Sequence, residues 1–142
     1  MPTSNASAVW EGGLRKGRGR FKAGSSAFEG DYSFPTRFEG AKGTNPEELI
    51  AAAHAACFSM ALSGELEKAG KPSTRISTKA LCTVEKVGEG FKITRMRLEV
   101  VGQVPGIDSA GFLKAAEAAK KGCPVSGALQ GNVQVDMDAR LE

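Results

Sequence analysis

The chain has 142 residues, enough for a single domain over residues 1–142, and its 41% hydrophobic and 25% charged residues are typical of a soluble globular protein. The formal net charge of +3 gives no global field that would call for nucleic acid, and no apolar run reaches the roughly 18 residues that span a membrane. Because the N-terminus is polar and lacks the apolar segment of a secretory signal, we expect a cytoplasmic protein with no nucleic-acid or membrane partner.

The first 43 residues combine many glycines with short polar–apolar alternations, which predicts two or three strands. These strands are placed around Ala6–Glu11, Gly17–Lys22 and Asp31–Phe34. The middle strand carries Arg18, Arg20 and Lys22 on one face. Such a face can bind nucleic acid, but charged strand faces more often protect a sheet edge from aggregation.

A long apolar helix is predicted next. Thr44 or Asn45 can cap its start, Pro46 suits its first turn, and a glutamate follows each candidate cap by three residues. The helix should run to about Ala69 and end at Gly70. Its middle is apolar all round, so we expect it to be buried on most sides.

The second half predicts a hairpin, a helix and a last strand. Alternation over 75–85 and 91–101 indicates two half-buried strands joined by a turn at residues 88–90. Asp108 or Ser109 caps a helix that ends at Gly122, and a strand follows around residues 133–137. The apolar stripe of that helix is formed by Phe112, Leu113, Ala116 and Ala119. The architecture is therefore α+β, with antiparallel strands at the ends and helices between them.

The three cysteines have unlike settings, and their small, odd number argues against a disulfide-stapled secreted domain. Cys57 lies in the apolar helix, so it is either a small core residue or a thiol on a rigid, dry helix. Cys123 precedes a proline at a helix start, where N–H groups favour a thiolate and a loop edge allows movement. One thiol that attacks and one that resolves would suit a thiol enzyme. Cys82 faces inward from a strand, which indicates a core residue.

Three polar residues allow both a structural and a chemical interpretation. His54 precedes Cys57 by three residues, so it either activates that thiol or packs at a helix crossing with a backbone hydrogen bond. Arg37 lies between two phenylalanines and is either a solvated loop residue or a cation carried into an apolar pocket. Glu47 suits the positive end of the helix dipole. The single histidine and the lack of a CxxC motif argue against a zinc site.

Several segments together carry a family resemblance. They read TRFEG at 36–40, GTNPEELI at 43–50, AAHAACFSMAL at 52–62, VPGID at 104–108 and GCPVS at 122–126. With these segments the chain resembles, over essentially its whole length, the osmotically inducible protein C (OsmC) group of the OsmC/Ohr peroxidase family. The resemblance implies an OsmC-like α+β fold, with antiparallel β-sheets around two long central helices in an intertwined homodimer.

The resemblance also implies an activity and a set of site residues. The activity is that of a thiol-dependent peroxidase, which reduces organic hydroperoxides, and hydrogen peroxide less well. Cys57 matches the attacking cysteine and Cys123 the resolving one, so the expected product is a Cys57–Cys123 disulfide. Arg37 matches the activating arginine and Glu47 its carboxylate partner.

The implied chemistry needs no cofactor, that is, no metal, flavin or haem. Its reductant is an external dithiol, which is of lipoyl type for the Ohr enzymes. In that sister group the arginine comes from the N-terminal strand region, so Arg18 and Arg20 are alternatives to Arg37. Phe34, Phe38 and Phe58 are candidate pocket walls that favour alkyl or lipid hydroperoxides.

The spacing of Glu47 and Cys57 has a geometric consequence of its own. The two residues lie ten positions apart on one predicted helix, about 15 Å along its axis, so they do not meet within one subunit. An antiparallel crossing of two such helices near Ala52 brings Glu47 of one chain to Cys57 of another. We therefore expect the site at a two-fold interface. The competing classes are a redox-sensing or disulfide-exchange protein without turnover, and a basic binding module.

Overall fold

The computed structural model describes residues 1–142, and the chain divides into two compact units, residues 1–48 and 49–142. The single domain expected from the sequence stays a prediction. The elements in chain order are β1 Ala6–Glu11, β2 Arg18–Ala23, β3 Glu29–Tyr32, α1 Phe34–Phe38, α2 Pro46–Lys68, β4 Arg75–Val87, β5 Gly90–Gln103, α3 Ser109–Gly122, α4 Pro124–Leu129 and β6 Gln134–Leu141.

The first unit is built on an antiparallel sheet of order β1-β2-β3. The third strand ends at Tyr32, two residues earlier than predicted, because Ser33 caps α1. The Ser33 side chain accepts from the Thr36 N–H, and the Thr36 hydroxyl accepts from the Ser33 N–H at 2.9 Å. This capping box and the proline in the first turn explain a helix where the sequence analysis expected a loop.

The basic face of β2 is exposed, as predicted for Arg18, Arg20 and Lys22. Arg20 donates a 2.8 Å hydrogen bond to Asp31 on the neighbouring strand and lies 3.3 Å from Glu29. These acidic partners neutralise the centre of the face, which weakens the interpretation as a nucleic-acid surface.

The second unit contains a sheet of order β4-β5-β6. β4 and β5 form the predicted hairpin, with a register shift between Thr83 and Val84. β6 runs parallel to β5, with Leu98 opposite Met137, so the prediction of purely antiparallel strands is wrong for this pair. The reason is the connection: α3 and α4 form a crossover that returns the chain to the same end of the sheet.

The core of the second unit lies between α2, α3 and the sheet. Phe58, Leu62 and Leu66 on α2 are fully buried against Leu98 on β5 and Phe112 on α3. Other members of this cluster are Val100, Val104, Ala115, Ala116, Ala119 and Cys123. The stripe predicted for α3 was wrong at one position, since Leu113 is exposed and Ala115 is buried instead.

α2 keeps an open apolar side within one chain. Asn45 caps the helix by accepting from the Glu48 N–H at 2.8 Å, and the helix ends before Gly70. The exposed residues of its middle are Ala52, Ala53, Ala56 and Met60. The predicted burial of α2 on most sides is therefore not achieved by the single chain.

By length and composition alone, α2 could also cross a membrane, although no run in the sequence was expected to be long enough. The core helices of soluble proteins pass the same test.

Candidate active site

The fold of the second unit brings two of the three cysteines together. Cys57 lies on the fourth turn of α2, and Cys123 is both the C-cap of α3 and the N-cap of α4. Their Sγ atoms are 2.9 Å apart, and both are free thiols. The pair needs only a small adjustment to reach the length of a disulfide bond.

The exposure of the two thiols is the reverse of the prediction. Cys123 was expected on a mobile loop edge, but it is fully buried, and its N–H donates to the Ala119 carbonyl at 2.8 Å. Cys57 was expected in a dry environment, but it is only half-buried because it borders the open side of α2 near Ala53 and Ala56. The more accessible sulfur is therefore the one on the long helix.

The surroundings of the pair set the order in which the thiols ionise. Burial raises the pKa of Cys57, and the hydrogen bond with Cys123 raises it further. The contact with the Val125 N–H acts to lower this pKa but is outweighed. Burial also acts to raise the pKa of Cys123, but the contacts with Cys57, with the N–H and hydroxyl of Ser126 and with the Val125 N–H outweigh it and lower the pKa. The Cys123 side chain makes no regular capping hydrogen bond to a backbone N–H, so the two N–H groups act electrostatically at the start of α4. Within one chain the thiolate therefore prefers Cys123.

A second buried contact lies beside the cysteine pair. His54 is fully buried, and its Nε2 lies 2.7 Å from the Ser126 hydroxyl. Burial lowers the pKa of His54, which keeps the ring neutral. The expected backbone hydrogen bond is replaced by this side-chain contact. Ser126 was not predicted to have a role. Its position three residues after the helix-capping Cys123 places the two side chains on the same side of α4.

Cys82 lies on another element, β4, opposite Met96 of β5. It is half-buried and is not part of the core cluster, so the predicted core position is not confirmed. Phe58, a candidate pocket wall, is fully buried in the core. The two other candidates, Phe34 and Phe38, contact each other in the first unit, with ring centroids 5.0 Å apart.

The first unit holds the arginine and the glutamate that the sequence analysis singled out. Arg37 lies on α1 and donates from Nη2 to Oε1 of Glu47 at 2.7 Å, while its Nε is shared between Oε1 at 3.0 Å and Oε2 at 3.1 Å. Two N–H groups of the guanidinium thus hold the carboxylate through charge-assisted hydrogen bonds. Its guanidinium also lies 5.0 Å above the Phe38 ring. The interpretation as a solvated loop residue is replaced by this ordered pair.

The pair leaves part of the guanidinium available. Glu47 is only 5% exposed and is satisfied by Arg37, whereas the Arg37 side chain is 36% exposed. Nη1 of Arg37 donates no hydrogen bond within the chain. A buried carboxylate therefore fixes a cation whose outer edge can still meet an anion. Of the two alternative residues, Arg20 is engaged by Asp31, whereas the exposed Arg18 makes no ion pair within the chain and stays an alternative to Arg37.

No group of three or more histidine, cysteine, aspartate or glutamate side chains is arranged to hold a metal ion. The Cys57–Cys123 pair of the second unit can be oxidised and can form a disulfide.

Comparison with known proteins gives the same family in sequence and in structure. The family model for OsmC-like protein matches residues 39–138. The peroxiredoxin OsmC of Escherichia coli (strain K12) is 49% identical over 130 residues, which cover 91% of each chain. An organic hydroperoxide resistance protein of Xanthomonas axonopodis pv. citri is 32% identical over 84% of each chain.

A solved structure supports the fold over nearly the whole chain. The crystal structure of an organic hydroperoxide resistance protein OsmC from Legionella pneumophila matches with a TM-score of 0.81 at 26% identity. The match covers 98% of this chain and 97% of the other. The mixed α+β fold predicted from the sequence is thereby confirmed.

Proposed function

The chain belongs to the OsmC-like family, and on this basis we propose that it is a cysteine-based peroxidase that reduces organic hydroperoxides to alcohols. The relatives named as peroxiredoxin and as organic hydroperoxide resistance proteins support this reaction. The observation that carries the proposal is the 2.9 Å contact between the sulfurs of Cys57 and Cys123.

The first step is attack of the Cys57 thiolate on the hydroperoxide. Cys57 is the attacking residue because it is the more exposed thiol of the pair. Its sulfur forms a bond with the terminal peroxide oxygen, the O–O bond breaks, and the alkoxide takes a proton and leaves as the alcohol. Cys57 is left as a sulfenic acid.

The second step is resolution by Cys123. Its thiolate attacks the Cys57 sulfur, the S–O bond breaks, and the oxygen leaves as water after taking a proton. The buried position of Cys123 beside Cys57 favours this condensation over further oxidation by a second peroxide. An external dithiol then reduces the disulfide and is itself oxidised to a disulfide, so no cofactor is required. A lipoyl-type dithiol is our first candidate for the reductant.

Activation of Cys57 requires a cation that its own surroundings lack. Burial raises the pKa of Cys57, and within one chain the neighbouring Cys123 is the better thiolate. An opposite charge within hydrogen-bonding reach lowers a pKa by about 1–3 units. Arg37, with its free Nη1 and its orientation fixed by Glu47, is the residue that we assign to this role.

We assign that arginine to a second copy of the chain. Glu47 and Cys57 lie on one continuous helix, so they are about 15 Å apart along its axis. The open side of α2 is formed by small residues, Ala52, Ala53 and Ala56, which permit close approach of a partner helix. An antiparallel crossing of two α2 helices covers this side and brings Arg37 and Glu47 of one chain to Cys57 of the other. The proposed enzyme is therefore a homodimer with two shared sites.

A turnover assay tests the proposed function. The protein is mixed with cumene hydroperoxide, and dihydrolipoamide and thioredoxin are compared as reductants. Repeated turnover with the dithiol supports a peroxidase. We propose a cytoplasmic location for it, because such dithiols are kept reduced there. Oxidation that stops after one equivalent of peroxide would instead indicate a redox sensor or a disulfide-exchange protein.

A further inference from the structure

His54 and Ser126 form a buried polar contact that the proposed reaction does not use. His54 lies three residues before Cys57 on α2, and Ser126 lies three residues after Cys123 on α4. The two helices thus meet through two neighbouring contacts, Cys57 with Cys123 at 2.9 Å and His54 with Ser126 at 2.7 Å. A polar pair beside the two cysteines can influence whether one of their thiols is ionised.

The direction of the hydrogen bonds follows from the partners. The ring of His54 is neutral, and its Nδ1 is buried with no hydrogen-bond partner. An orphaned N–H costs more than an orphaned lone pair, so we assign the ring proton to Nε2, which donates to the Ser126 oxygen. The Ser126 hydroxyl hydrogen is then free. Ser126 lies on the first turn of α4, three residues after the capping Cys123, where its side chain can reach the Cys123 sulfur. The hydroxyl is also among the groups that lower the pKa of Cys123.

We propose that Ser126, oriented by His54, stabilises the Cys123 thiolate when the disulfide forms and when it is reduced. The inference rests on the proposed function for the first of these two steps. In this proposal Ser126 donates to a reacting sulfur, whereas His54 is a positioning residue that acts through Ser126. A His54 that stays neutral and merely donates is consistent with its complete burial.

The same hydrogen bond serves both steps because Cys123 carries negative charge in each. During resolution the Cys123 thiolate supplies the electron pair for the S–S bond, while the S–O bond of Cys57 breaks and water leaves. During reduction a dithiol attacks the more exposed Cys57, the S–S bond breaks, and Cys123 leaves with the electron pair. A leaving thiol of lower pKa departs faster, so a donor to Cys123 accelerates this second step.

The test compares Ser126→Ala, His54→Leu and His54→Gln with wild type. Ser126→Ala removes the hydroxyl, and His54→Leu removes the group that orients it. His54→Gln places an amide N–H near the position of Nε2, so it keeps the donor but cannot act as an acid or base at neutral pH. Ser59→Ala is the matched control, because its hydroxyl also lies on α2 but bonds to Ala55 and Thr78.

The first measurement follows one equivalent of cumene hydroperoxide in rapid-quench experiments that separate sulfenic acid formation from disulfide formation. In Ser126→Ala and His54→Leu we expect disulfide formation to slow at least about threefold, because a higher pKa of Cys123 lowers its thiolate fraction more than it raises the nucleophilicity of each thiolate. The first step should keep nearly the wild-type rate. His54→Gln and Ser59→Ala should resolve at nearly the wild-type rate. Equal slowing of both steps, or a wild-type rate of disulfide formation in Ser126→Ala, would overturn the inference. Disulfide formation as slow in His54→Gln as in His54→Leu would also overturn it.

The second measurement does not depend on peroxidase activity. The disulfide is formed with diamide, which accepts both thiol hydrogens, and its reduction by dithiothreitol is followed across a range of pH. Cys57 and, through Ser126, His54 are the titratable groups that act on Cys123. Reduction should be at least about threefold slower in Ser126→Ala, and unchanged rates would overturn the inference. If the wild-type protein does not react with peroxide but Ser126→Ala still slows the reduction, the proposed function is refuted and the role of Ser126 is supported.

Discussion

The Sγ atoms of Cys57 and Cys123 lie 2.9 Å apart although 66 positions separate the two residues in the chain. The contact joins the middle of α2 to the junction of α3 and α4, so it depends on the packing of the second unit rather than on local sequence. Of the two thiols, the buried one is the better thiolate within a single chain. An enzyme that attacks with the other thiol must therefore supply a cation to it.

Replacing the proposed attacking residue should abolish the reaction. Cys57→Ser removes the sulfur that takes the peroxide oxygen, so activity with cumene hydroperoxide should fall to background. Cys82→Ser is the control, because Cys82 is half-buried on β4 and outside the cysteine pair. It should keep most of the wild-type activity in the same coupled assay. Comparable activity in the two variants would remove Cys57 from its role.

Removing the resolving residue should stop the cycle after one turnover. Cys123→Ser should still consume about one equivalent of peroxide, but Cys57 should accumulate as a sulfenic acid or a more oxidised form because no neighbouring thiol condenses with it. Mass spectrometry after peroxide treatment identifies these species. A Cys57–Cys82 disulfide in the treated wild-type protein would contradict the assignment.

Loss of Arg37 should slow peroxide attack and change its dependence on pH. Only the thiolate attacks, so the rate rises with pH through the pKa of Cys57. Without the cation that pKa rises further, so Arg37→Ala should be at least about tenfold slower at neutral pH, with its profile displaced to higher pH. Glu47→Ala should be slowed less, because Glu47 only orients the arginine. Arg20→Ala is the control, and an equal loss there would favour the N-terminal arginines.

Burial of His54 predicts a loss of stability on mild acidification. The folded state lowers the pKa of His54 from its usual 6.5, so the unfolded chain binds more protons below that pH. The free energy of unfolding should therefore fall as the pH drops below about 6.5. His54→Gln should show a shallower fall between pH 7.5 and 5 in urea titrations. Identical pH dependence in the two proteins would mean that His54 titrates normally in the fold.

Local signals were enough to predict most elements. Asn45 and Gly70 marked the ends of α2 because a cap and a left-handed glycine act within one turn, and φ at Gly70 is +74°. Alternation likewise predicted the β4–β5 hairpin. The parallel pairing of β6 was missed, since strand direction depends on a crossover through α3 and α4 that periodicity does not report.

The candidate site was predictable in its residue types more than in its environments. The family resemblance singled out Cys57, Cys123, Arg37 and Glu47, and the structure pairs the two cysteines and, separately, the arginine with the glutamate. The exposures of the thiols were predicted the wrong way round, because burial is set by packing between helices distant in the chain. Ser126 received no role because its partner, His54, is 72 positions away.

Mixing an inactive variant with a slow one tests the shared site most directly. In a heterodimer of Cys57→Ser and Arg37→Ala chains, one site carries both lesions, and the other combines an intact Cys57 with an intact Arg37 from the partner. Co-refolded chains should therefore regain up to about half of the wild-type peroxidase activity per heterodimer, while each variant alone remains slow. Heterodimers that gain nothing over the separate variants would contradict a site in which one chain activates the cysteine of the other.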